Sequence, residues 1–284
     1  MFLKAIKRAI NGSKRISNVI SDLFYYIKNR QKIRLSIWSF FKLKRYRSYT
    51  QELITTTFNS KSFIITSPFW FLHSIHEIFV QEVYKFPSKN KNPFIIDCGA
   101  NYGLSIIYFK QLYLDAKIIA FEADPYISKI LKTNILRSNL SDINLIDAAV
   151  WKERTKLFFT SEGSVGGKID RDKNVKNNIE ISAIRLRDYL IQPVDFLKID
   201  IEGAEYEVLK DCHDLLTNVQ NLFIEYHVLR NEEQHLDDIL FWISSAGFKY
   251  YIKEAWNNMS YPYMQFYNDY YQMQLNIFCY RSKF

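Results

Sequence analysis

A chain of 284 residues, 48% of them hydrophobic, is long enough for one catalytic domain with an extension and can bury a sizeable core. It contains no run of 18 apolar residues, which argues against a membrane-spanning helix. No apolar segment with a small-residue cleavage site follows the first cations, and the three cysteines form no CxxC pair. These features predict a reduced, cytoplasmic protein.

The charge of the chain is concentrated at one end. The net charge is +8, but residues 1–50 contain 13 lysines and arginines against one aspartate, so residues 51–284 carry −4. Apolar residues at spacings of three and four predict amphipathic helices over residues 1–47, interrupted near Gly12.

Three roles remain open for this basic extension. Apolar and basic faces suit peripheral contact with an anionic membrane, at its inner face. The same pattern suits packing on the catalytic domain or on a second subunit of a homo-oligomer. Binding of nucleic acid is the least favoured, because phosphate contacts do not require apolar residues at helical spacing.

Residues 51–92 lead from the extension to the core. A short strand is predicted at 62–66 and a helix at 71–84, followed by a polar loop that ends at Pro93. The predicted organisation is therefore an extension over 1–50, a bridging segment over 51–92 and a main domain over 93–284.

From Phe94 onward, predicted strands alternate with predicted helices, which indicates an α/β fold with a mainly parallel sheet. A β-rich insertion is predicted at about 155–184, and no helix separates the last two strands. The predicted strands are 94–97, 117–122, 143–148, 194–199, 221–226, 247–253 and 274–281, and the predicted helices are 103–114, 125–139, 204–217 and 231–246.

Two segments at strand ends predict a nucleoside-cofactor site. The turn from Asp97 to Gly103 follows the first core strand, and its small residues let a ligand approach the backbone and the next helix N-terminus. Glu122 ends the following strand, where a carboxylate can accept both hydroxyls of a ribose.

The identity of the cofactor follows from the spacing in that turn. A dinucleotide site uses G-x-G-x-x-G, whereas this chain has Asp-x-Gly-x-x-x-Gly with Asp97 on the strand end. A carboxylate there would repel a pyrophosphate but suits a ligand with an ammonium and a sulfonium. The cofactor predicted from these residues is S-adenosylmethionine.

With these motifs the sequence resembles the FkbM family of S-adenosylmethionine-dependent methyltransferases. The most specific part of the resemblance is the segment Leu197-Lys198-Ile199-Asp200-Ile201-Glu202-Gly203-Ala204-Glu205. The family implies a class I, Rossmann-like fold that is doubly wound, with a mainly parallel seven-stranded sheet and an antiparallel last strand. It also implies O-methylation of sugars, glycans or polyketides, and an upstream segment, here 51–92, that caps the cofactor cleft.

The predicted cofactor residues lie at the carboxyl ends of the first three core strands, where ligands collect in open α/β sheets. Asp97 and Gly99 are expected at the amino-acid end of the cofactor, Glu122 at its ribose, and Asp147 at its adenine or in solvent. The full set is Asp97, Gly99, Asn101, Gly103, Glu122, Asp147 and Ala148.

The predicted catalytic residues follow the fourth and fifth strands. Asp200 and Glu202 form a polar pair that either deprotonates a hydroxyl or holds a divalent cation that does so. His227 is the first choice of general base, because an imidazole pKa suits neutral pH. Glu205 either contacts the acceptor or supports the N-terminus of its helix.

The acceptor is expected beside the same strand ends. Glu225 shares a face with His227, and Trp256 begins an aromatic segment of the kind that binds sugars or stacks on bases. The predicted acceptor is a hydroxyl of a sugar, glycan or glycoconjugate. A nucleic-acid methyltransferase and a non-catalytic binding or scaffold protein on the same fold are the alternatives.

Overall fold

The computed structural model describes residues 2–46, 53–160, 168–170, 178–230, 232–264, 266–267 and 271–281. The chain divides into two compact units, Met1–Val83 and Tyr84–Phe284. This division falls at residue 83 rather than at 50 or 92. The predicted three-part organisation, including a cap over the cofactor cleft, stays a prediction.

The first unit is mostly helical. Its elements are α1 (Phe2–Ile33), α2 (Ile37–Lys44), the antiparallel hairpin β1 (Ile54–Phe58) and β2 (Lys61–Ile65), and α3 (Pro68–Ser74), which continues as a π-helical segment, Ile75–Val80. The break predicted near Gly12 is absent, because one glycine costs a helix only about 1 kcal/mol. The helix predicted from residue 71 begins at Pro68, since the Ser67 side chain caps it by accepting from the backbone N–H of Trp70.

Helix α1 has two apolar faces. On one, Tyr25 and Tyr26 pack on the ring of Phe40, and the Tyr25 hydroxyl lies 2.7 Å from Nδ1 of His76. The other face is exposed to solvent and carries Val19, Ile20, Leu23, Phe24 and Ile27. In α2, Trp38 is 84% exposed. No helix in the described part of the chain is both long and apolar enough to cross a membrane.

The second unit is an α/β fold. Its strands are β3 (Phe94–Cys98), β4 (Lys117–Glu122), β5 (Ile143–Asp147), β6 (Ala149–Trp151), β7 (Thr155–Thr160), β8 (Lys168–Asp170), β9 (Asn178–Arg185), β10 (Val194–Ile199), β11 (Val219–Leu229), β12 (Lys249–Trp256), β13 (Met259–Tyr261), β14 (Phe266–Tyr267) and β15 (Tyr271–Tyr280). Its helices are α4 (Leu104–Leu112), α5 (Pro125–Ser138), α6 (Glu205–Cys212) and α7 (Leu236–Ser245), with 3₁₀ turns at Leu186–Tyr189, His213–Asn218 and Pro262–Met264.

Seven strands form the central sheet in the order β12-β15-β11-β10-β3-β4-β5. The pairs from β11 to β5 are parallel, and β15 runs antiparallel to both of its neighbours. The predicted seven-stranded sheet with an antiparallel last strand is therefore confirmed. Because β15 inserts between β11 and β12, the last strand is internal, and β12 forms the edge.

The predicted insertion forms a small sheet of its own. Strands β7, β8 and β9 join β6 in the order β6-β9-β7-β8. Residues 161–167 and 171–177 of the predicted insertion lie outside the described residues, as does residue 231, where a helix was expected to begin. Helix α7 begins at Leu236, and the predicted helix 204–217 is split into α6 and a 3₁₀ turn.

Local sequence fixes where the helices beside the site begin. Gly103, with φ at +100°, precedes α4 in a left-handed conformation that a side chain rarely adopts. Asp124 caps α5 by accepting from the backbone N–H of Tyr126, and Pro125 follows at the first helical position. These caps hold both helix N-termini at the carboxyl end of the sheet.

The core lies on both faces of the sheet. On one face, Leu197 and Ile224 are buried with apolar residues of α6 and α7. On the other face, aromatic rings pack on one another, among them Tyr84, Phe86, Phe109, Phe196 and Phe223. The polar residues of the candidate site lie at the ends of the strands of this sheet.

Candidate active site

Cross-strand pairs near the carboxyl end of β11 bring together side chains from β11, β15 and β12. Glu225 of β11 pairs with Asn276 of β15, and His227 pairs with Gln274 one step further. Trp256 of β12 pairs with that same Gln274. Opposed side chains lie on one face of a sheet, so the predicted acceptor residues of β11 and β12 share a surface.

The predicted cofactor turn docks on the end of β4. The backbone N–H groups of Gly99 and Ala100 donate to the Phe121 carbonyl over 3.1 and 2.9 Å. Gly99 has φ at +90°, and a Cβ there would lie 1.9 Å from the carbonyl oxygen of Asp200. This position therefore accepts only glycine, and the backbone is left bare beside the strand ends.

Glu122 is held by the backbone of that turn. Its two carboxylate oxygens accept from the N–H of Asn101 over 2.8 Å and the N–H of Asp124 over 2.9 Å. Burial raises the pKa of Glu122 to about 7, although the two backbone donors oppose the shift. Each oxygen retains an acceptor site, so the carboxylate fits the two hydroxyls of a ribose.

The remaining predicted cofactor residues have structural contacts of their own. Asn101, with φ at +48°, accepts from the N–H of Tyr102 over 2.7 Å and so shapes the turn. Ala148 is buried, and Asp147 is bonded to Ser128 and Lys132 of α5. Burial alone would raise the pKa of Asp147, but these partners lower it. A contact of Asp147 with adenine stays a prediction.

Asp97 and Lys198 form a buried ion pair. Asp97 is fully buried, and one carboxylate oxygen accepts from the Ser105 hydroxyl over 2.5 Å. Nζ of Lys198 lies 3.2 Å from its other oxygen, 3.1 Å from the Asp200 carboxylate and 2.7 Å from the Gly99 carbonyl. The ammonium of Lys198 is therefore the partner of Oδ1, and contact of Asp97 with the amino-acid end of the cofactor stays a prediction.

Lys198 was not assigned a role from the sequence, although a lysine between apolar residues of a central strand is a recognisable signal. Burial alone would lower the pKa of Lys198, but Asp200 and Asp97 raise it well above its ordinary value. Lys198 therefore stays charged and ties the cofactor turn to the acidic residues after β10.

Glu205 is fully buried and organises the turn after β10. It accepts from the backbone N–H of Ile201 over 3.1 Å and of Gly203 over 3.1 and 3.2 Å. Its Oε1 also lies 3.1 Å from Nδ1 of His227. Glu205 was expected either to contact the acceptor or to support the N-terminus of its helix. In the structure it lies beneath the site, where it supports the turn before that helix and orients the imidazole of His227.

Glu202 lies at the tip of this turn in a left-handed conformation, with φ at +55°. Its Oε2 accepts from the Tyr271 hydroxyl over 2.5 Å and lies 3.6 Å from Nε2 of His227. Oε1 of Glu225 is also 3.6 Å from that nitrogen. Asp200, Glu202 and His227 come together, with ligand atoms within 4.8 Å of one another. Tyr271 belongs to the aromatic segment that begins at Trp256, but its contact with Glu202 was not predicted from the sequence.

The pKa values of His227, Glu202 and Asp200 differ from their ordinary values. Burial alone would lower the pKa of His227, but Glu202 and Glu205 raise it well above its ordinary value. A protonated imidazole cannot accept a proton, so the near-neutral pKa expected for His227 is not found, and its role as general base stays a prediction. Burial raises the pKa of Glu202 to about 8 and also raises that of Asp200, so each carboxylate is a stronger base than usual in its ionised form, which for Glu202 predominates only above about pH 8.

Two asparagines, Asn258 just after β12 and Asn276 within β15, have buried side-chain oxygens. The Asn258 amide nitrogen donates to Gln274 over 2.9 Å. The side-chain oxygens of Asn258 and Asn276 are both buried and accept no hydrogen bond from any described residue. Buried amide oxygens of this kind are acceptors for hydroxyl groups of a ligand.

Comparisons with known proteins identify the family of the chain. The model of the methyltransferase FkbM domain matches residues 97–250, more than half of the chain. The chain is 30% identical over 174 residues to methyltransferase sdnD of Sordaria araneosa, covering 47% of this chain and 66% of that protein. It is 24% identical over 159 residues to the 2-O-methyltransferase NoeI of Sinorhizobium fredii, covering 49% and 65%.

A solved FkbM methyltransferase from Methylobacillus flagellatus has a TM-score of 0.47 and 16% identity, covering 68% of this chain and 45% of that chain. The matched region thus spans about two thirds of these two curated relatives and less than half of the solved chain.

Proposed function

The chain belongs to the FkbM family of methyltransferases, and we propose that it transfers a methyl group from S-adenosylmethionine to a hydroxyl of a sugar, glycan or glycoconjugate. The observation that carries this proposal is the meeting of Asp200, Glu202 and His227 beside the cofactor turn. The name of one relative, a 2-O-methyltransferase, supports an oxygen acceptor.

The cofactor would be held by groups that the turn leaves available. Glu122 suits the ribose, and the bare backbone at Gly99 allows close approach of the amino-acid end. The negative charge of Asp97 favours the ammonium group of the cofactor, which would share this carboxylate with Lys198. When bound, S-adenosylmethionine supplies a methyl carbon on a sulfonium that an oxygen nucleophile can displace.

The chain's own task is to orient the acceptor and to remove its proton. Glu202 or Asp200 would accept the hydroxyl proton, since burial raises the pKa values of both. A divalent cation held by the same carboxylates would share this task by lowering the pKa of the bound hydroxyl.

A sugar acceptor is supported by the surface beside this base. Trp256 offers an aromatic face, and the side-chain oxygen of Asn258 offers an acceptor for a hydroxyl. Stacked bases would need several exposed rings along a basic groove, whereas the cluster here is acidic. This difference favours a sugar over a nucleic acid.

The test is calorimetric binding of S-adenosylmethionine, followed by methyl transfer to a panel of sugars and glycans. We expect Glu122→Ala to abolish binding and the exposed control Glu153→Ala to leave it unchanged. In a chain that binds the cofactor, Glu202→Gln would abolish transfer and leave cofactor affinity intact. Cofactor binding without transfer to any hydroxyl would favour the scaffold alternative, and transfer to RNA would favour the nucleic-acid alternative.

We further propose that α1 and α2 attach the chain to an anionic membrane at the cytoplasmic face. The exposed apolar face of α1 includes Phe24, which is 69% exposed, and Trp38 lies exposed on α2. The described residues 17–46 carry seven lysines and arginines against one aspartate. Apolar side chains flanked by cations match the interface of an anionic bilayer.

Flotation with vesicles tests this attachment. We expect co-flotation with phosphatidylserine-containing vesicles, reduced by salt, and little with pure phosphatidylcholine. Phe24→Ser combined with Trp38→Ser would abolish it. The matched control is Leu114→Ser, in the second unit, where the leucine is 73% exposed. No flotation together with a dimer that the double variant dissociates would assign this face to a second copy instead.

A further inference from the structure

We propose that Asp200, Glu202 and His227 are three protein ligands of one divalent cation of the Mg²⁺ or Mn²⁺ class. The inference deepens the proposed function, on which it rests only for the cation's part in deprotonating the acceptor. Binding of the ion itself requires neither cofactor nor acceptor, so it can be tested separately.

The spacing of the donor atoms suits such an ion. Metal–oxygen bonds of about 2.1 Å in octahedral geometry place ligand atoms roughly 3.0 Å apart when adjacent and about 4.2 Å apart when opposite. Nε2 of His227 lies 3.6 Å from Oε2 of Glu202, and all three ligand atoms lie within 4.8 Å. At 3.6 Å the imidazole and the carboxylate are too far apart for a hydrogen bond but close enough to share a cation.

Glu205 orients the imidazole for this role. Its carboxylate lies 3.1 Å from Nδ1 of His227 and is itself fixed by the backbone N–H groups of Ile201 and Gly203. This arrangement leaves Nε2 directed toward Glu202 and Glu225. A carboxylate behind a ligating histidine fixes its tautomer and increases its basicity as a ligand. Because a ligating imidazole must be neutral, the cation takes the place of the proton on Nε2 and releases it. Glu205 is therefore a positioning residue.

A second, independent feature is the amide of Asn276. Its side-chain oxygen is buried, the residue being 2% exposed, and accepts no hydrogen bond from the described part of the chain. Asn276 pairs with Glu225, so both side chains lie on the same face, and Glu225 is 3.6 Å from Nε2 of His227. An amide oxygen is a ligand for hard cations, directly or through water.

The charge balance and the donor types select the class of ion. Four carboxylates (Asp200, Glu202, Glu205 and Glu225) surround His227, and the nearby Lys198 contacts only Asp200 among them. Oxygen-rich sites with a carbonyl donor suit Mg²⁺ and Mn²⁺, and a single imidazole is compatible with Mn²⁺. A site without thiolates and with one histidine is a poor match for a structural zinc.

Manganese binding tests the proposal on the intact chain, freed of metals with a chelator. We expect electron paramagnetic resonance to detect one bound Mn²⁺ per chain, with a ¹⁴N coupling from an imidazole in the echo-modulation spectrum. His227→Gln would remove the ¹⁴N coupling. Glu202→Gln would weaken binding by about tenfold or more, and Glu205→Gln by roughly 10–100-fold. The control Glu207→Gln, on the same helix and paired with Lys152, would bind as the unaltered chain does.

The proposal is overturned if no stoichiometric site is detected below about 1 mM Mn²⁺, the weak end for protein cation sites. It is equally overturned if Glu202→Gln and Glu207→Gln bind alike, or if the ¹⁴N coupling survives His227→Gln. Circular dichroism checks that each variant is folded, and Asp200→Asn replaces any that is not. Cofactor affinity in the same preparation separates the two proposals, since loss of S-adenosylmethionine binding with retained Mn²⁺ binding would refute only the methyltransferase activity.

Discussion

Glu205 and Glu207 are two glutamates in the first turn of α6 with opposite surroundings. Glu205 is fully buried, accepts from the backbone N–H groups of Ile201, Gly203 and His227, and contacts the His227 imidazole. Glu207 is partly exposed and pairs with Lys152 over 2.8 Å. Replacing each with alanine removes the same side chain from the same helix turn, so the difference isolates burial and bonding.

The expected loss of stability follows from these contacts. A buried donor left without a partner costs about 1–3 kcal/mol, and Glu205→Ala leaves the N–H groups of Ile201 and Gly203 and the imidazole of His227 without one. Breaking a buried ion pair costs roughly 3–5 kcal/mol by itself. The two contributions overlap at His227, and we expect Glu205→Ala to lower the free energy of unfolding by at least about 4 kcal/mol, out of a total that is typically 5–15 kcal/mol.

Two other substitutions bracket this value. Glu205→Gln keeps the volume and one acceptor oxygen, and we expect a loss of about 1–2 kcal/mol. Glu207→Ala removes an exposed ion pair and should cost less than about 1 kcal/mol. Urea denaturation, read by amide hydrogen exchange in peptides from β10 and β11, reports on the second unit alone. If Glu205→Ala costs no more than Glu207→Ala, the assignment of Glu205 as the organiser of this turn is wrong.

Three further predictions concern the cofactor turn. Burial raises the pKa of Glu122 to about 7, and binding of the ribose requires the ionised carboxylate. The affinity for S-adenosylmethionine should therefore fall up to tenfold per pH unit below about pH 7. Calorimetry at pH 5.5–8.5 should show this slope, and the slope should be absent in Glu122→Gln. Lys198→Met leaves Asp97 buried without its cation, so it should lower the free energy of unfolding in urea by about 3–5 kcal/mol. Adding Asp97→Asn should restore part of this stability. If it restores none, the pairing of Asp97 with Lys198 is contradicted. Gly99→Ala places a Cβ 1.9 Å from the Asp200 carbonyl, so it should lower the melting temperature and abolish cofactor binding, and an unchanged melting curve would contradict this close approach.

Much of the fold could be predicted because its signals are local. Apolar runs such as Phe94–Cys98 and Val194–Ile199 end in small or acidic residues, and such runs marked all seven strands of the central sheet to within a few residues. The helix starts were less well predicted where a cap such as Ser67 precedes the apolar pattern. The glycine at position 12 was overestimated as a helix breaker, since one residue weighs little in a helix of 32.

The site itself was only partly predictable, because its chemistry depends on residues far apart in sequence. The strand ends identified Asp200 and His227, but the pKa of the imidazole is set by Glu202 and by the buried Glu205. Tyr271 reaches Glu202 from 69 residues away, which no local pattern reveals. Residue type and spacing indicate which groups can react, whereas protonation follows from burial and from neighbours that only the fold brings together.

The insertion of β15 between β11 and β12 has a consequence for folding during synthesis on the ribosome. Roughly 40 residues separate the end of β11 from the start of β15, and a ribosome adding 5–20 residues per second takes about 2–8 s to make them. During that interval β11, long and largely apolar, has one unpaired side that can template intermolecular pairing. The strand that supplies Tyr271, Gln274 and Asn276 thus also ends this exposure, and variants that weaken β15 should be detected first as insoluble protein in expressing cells.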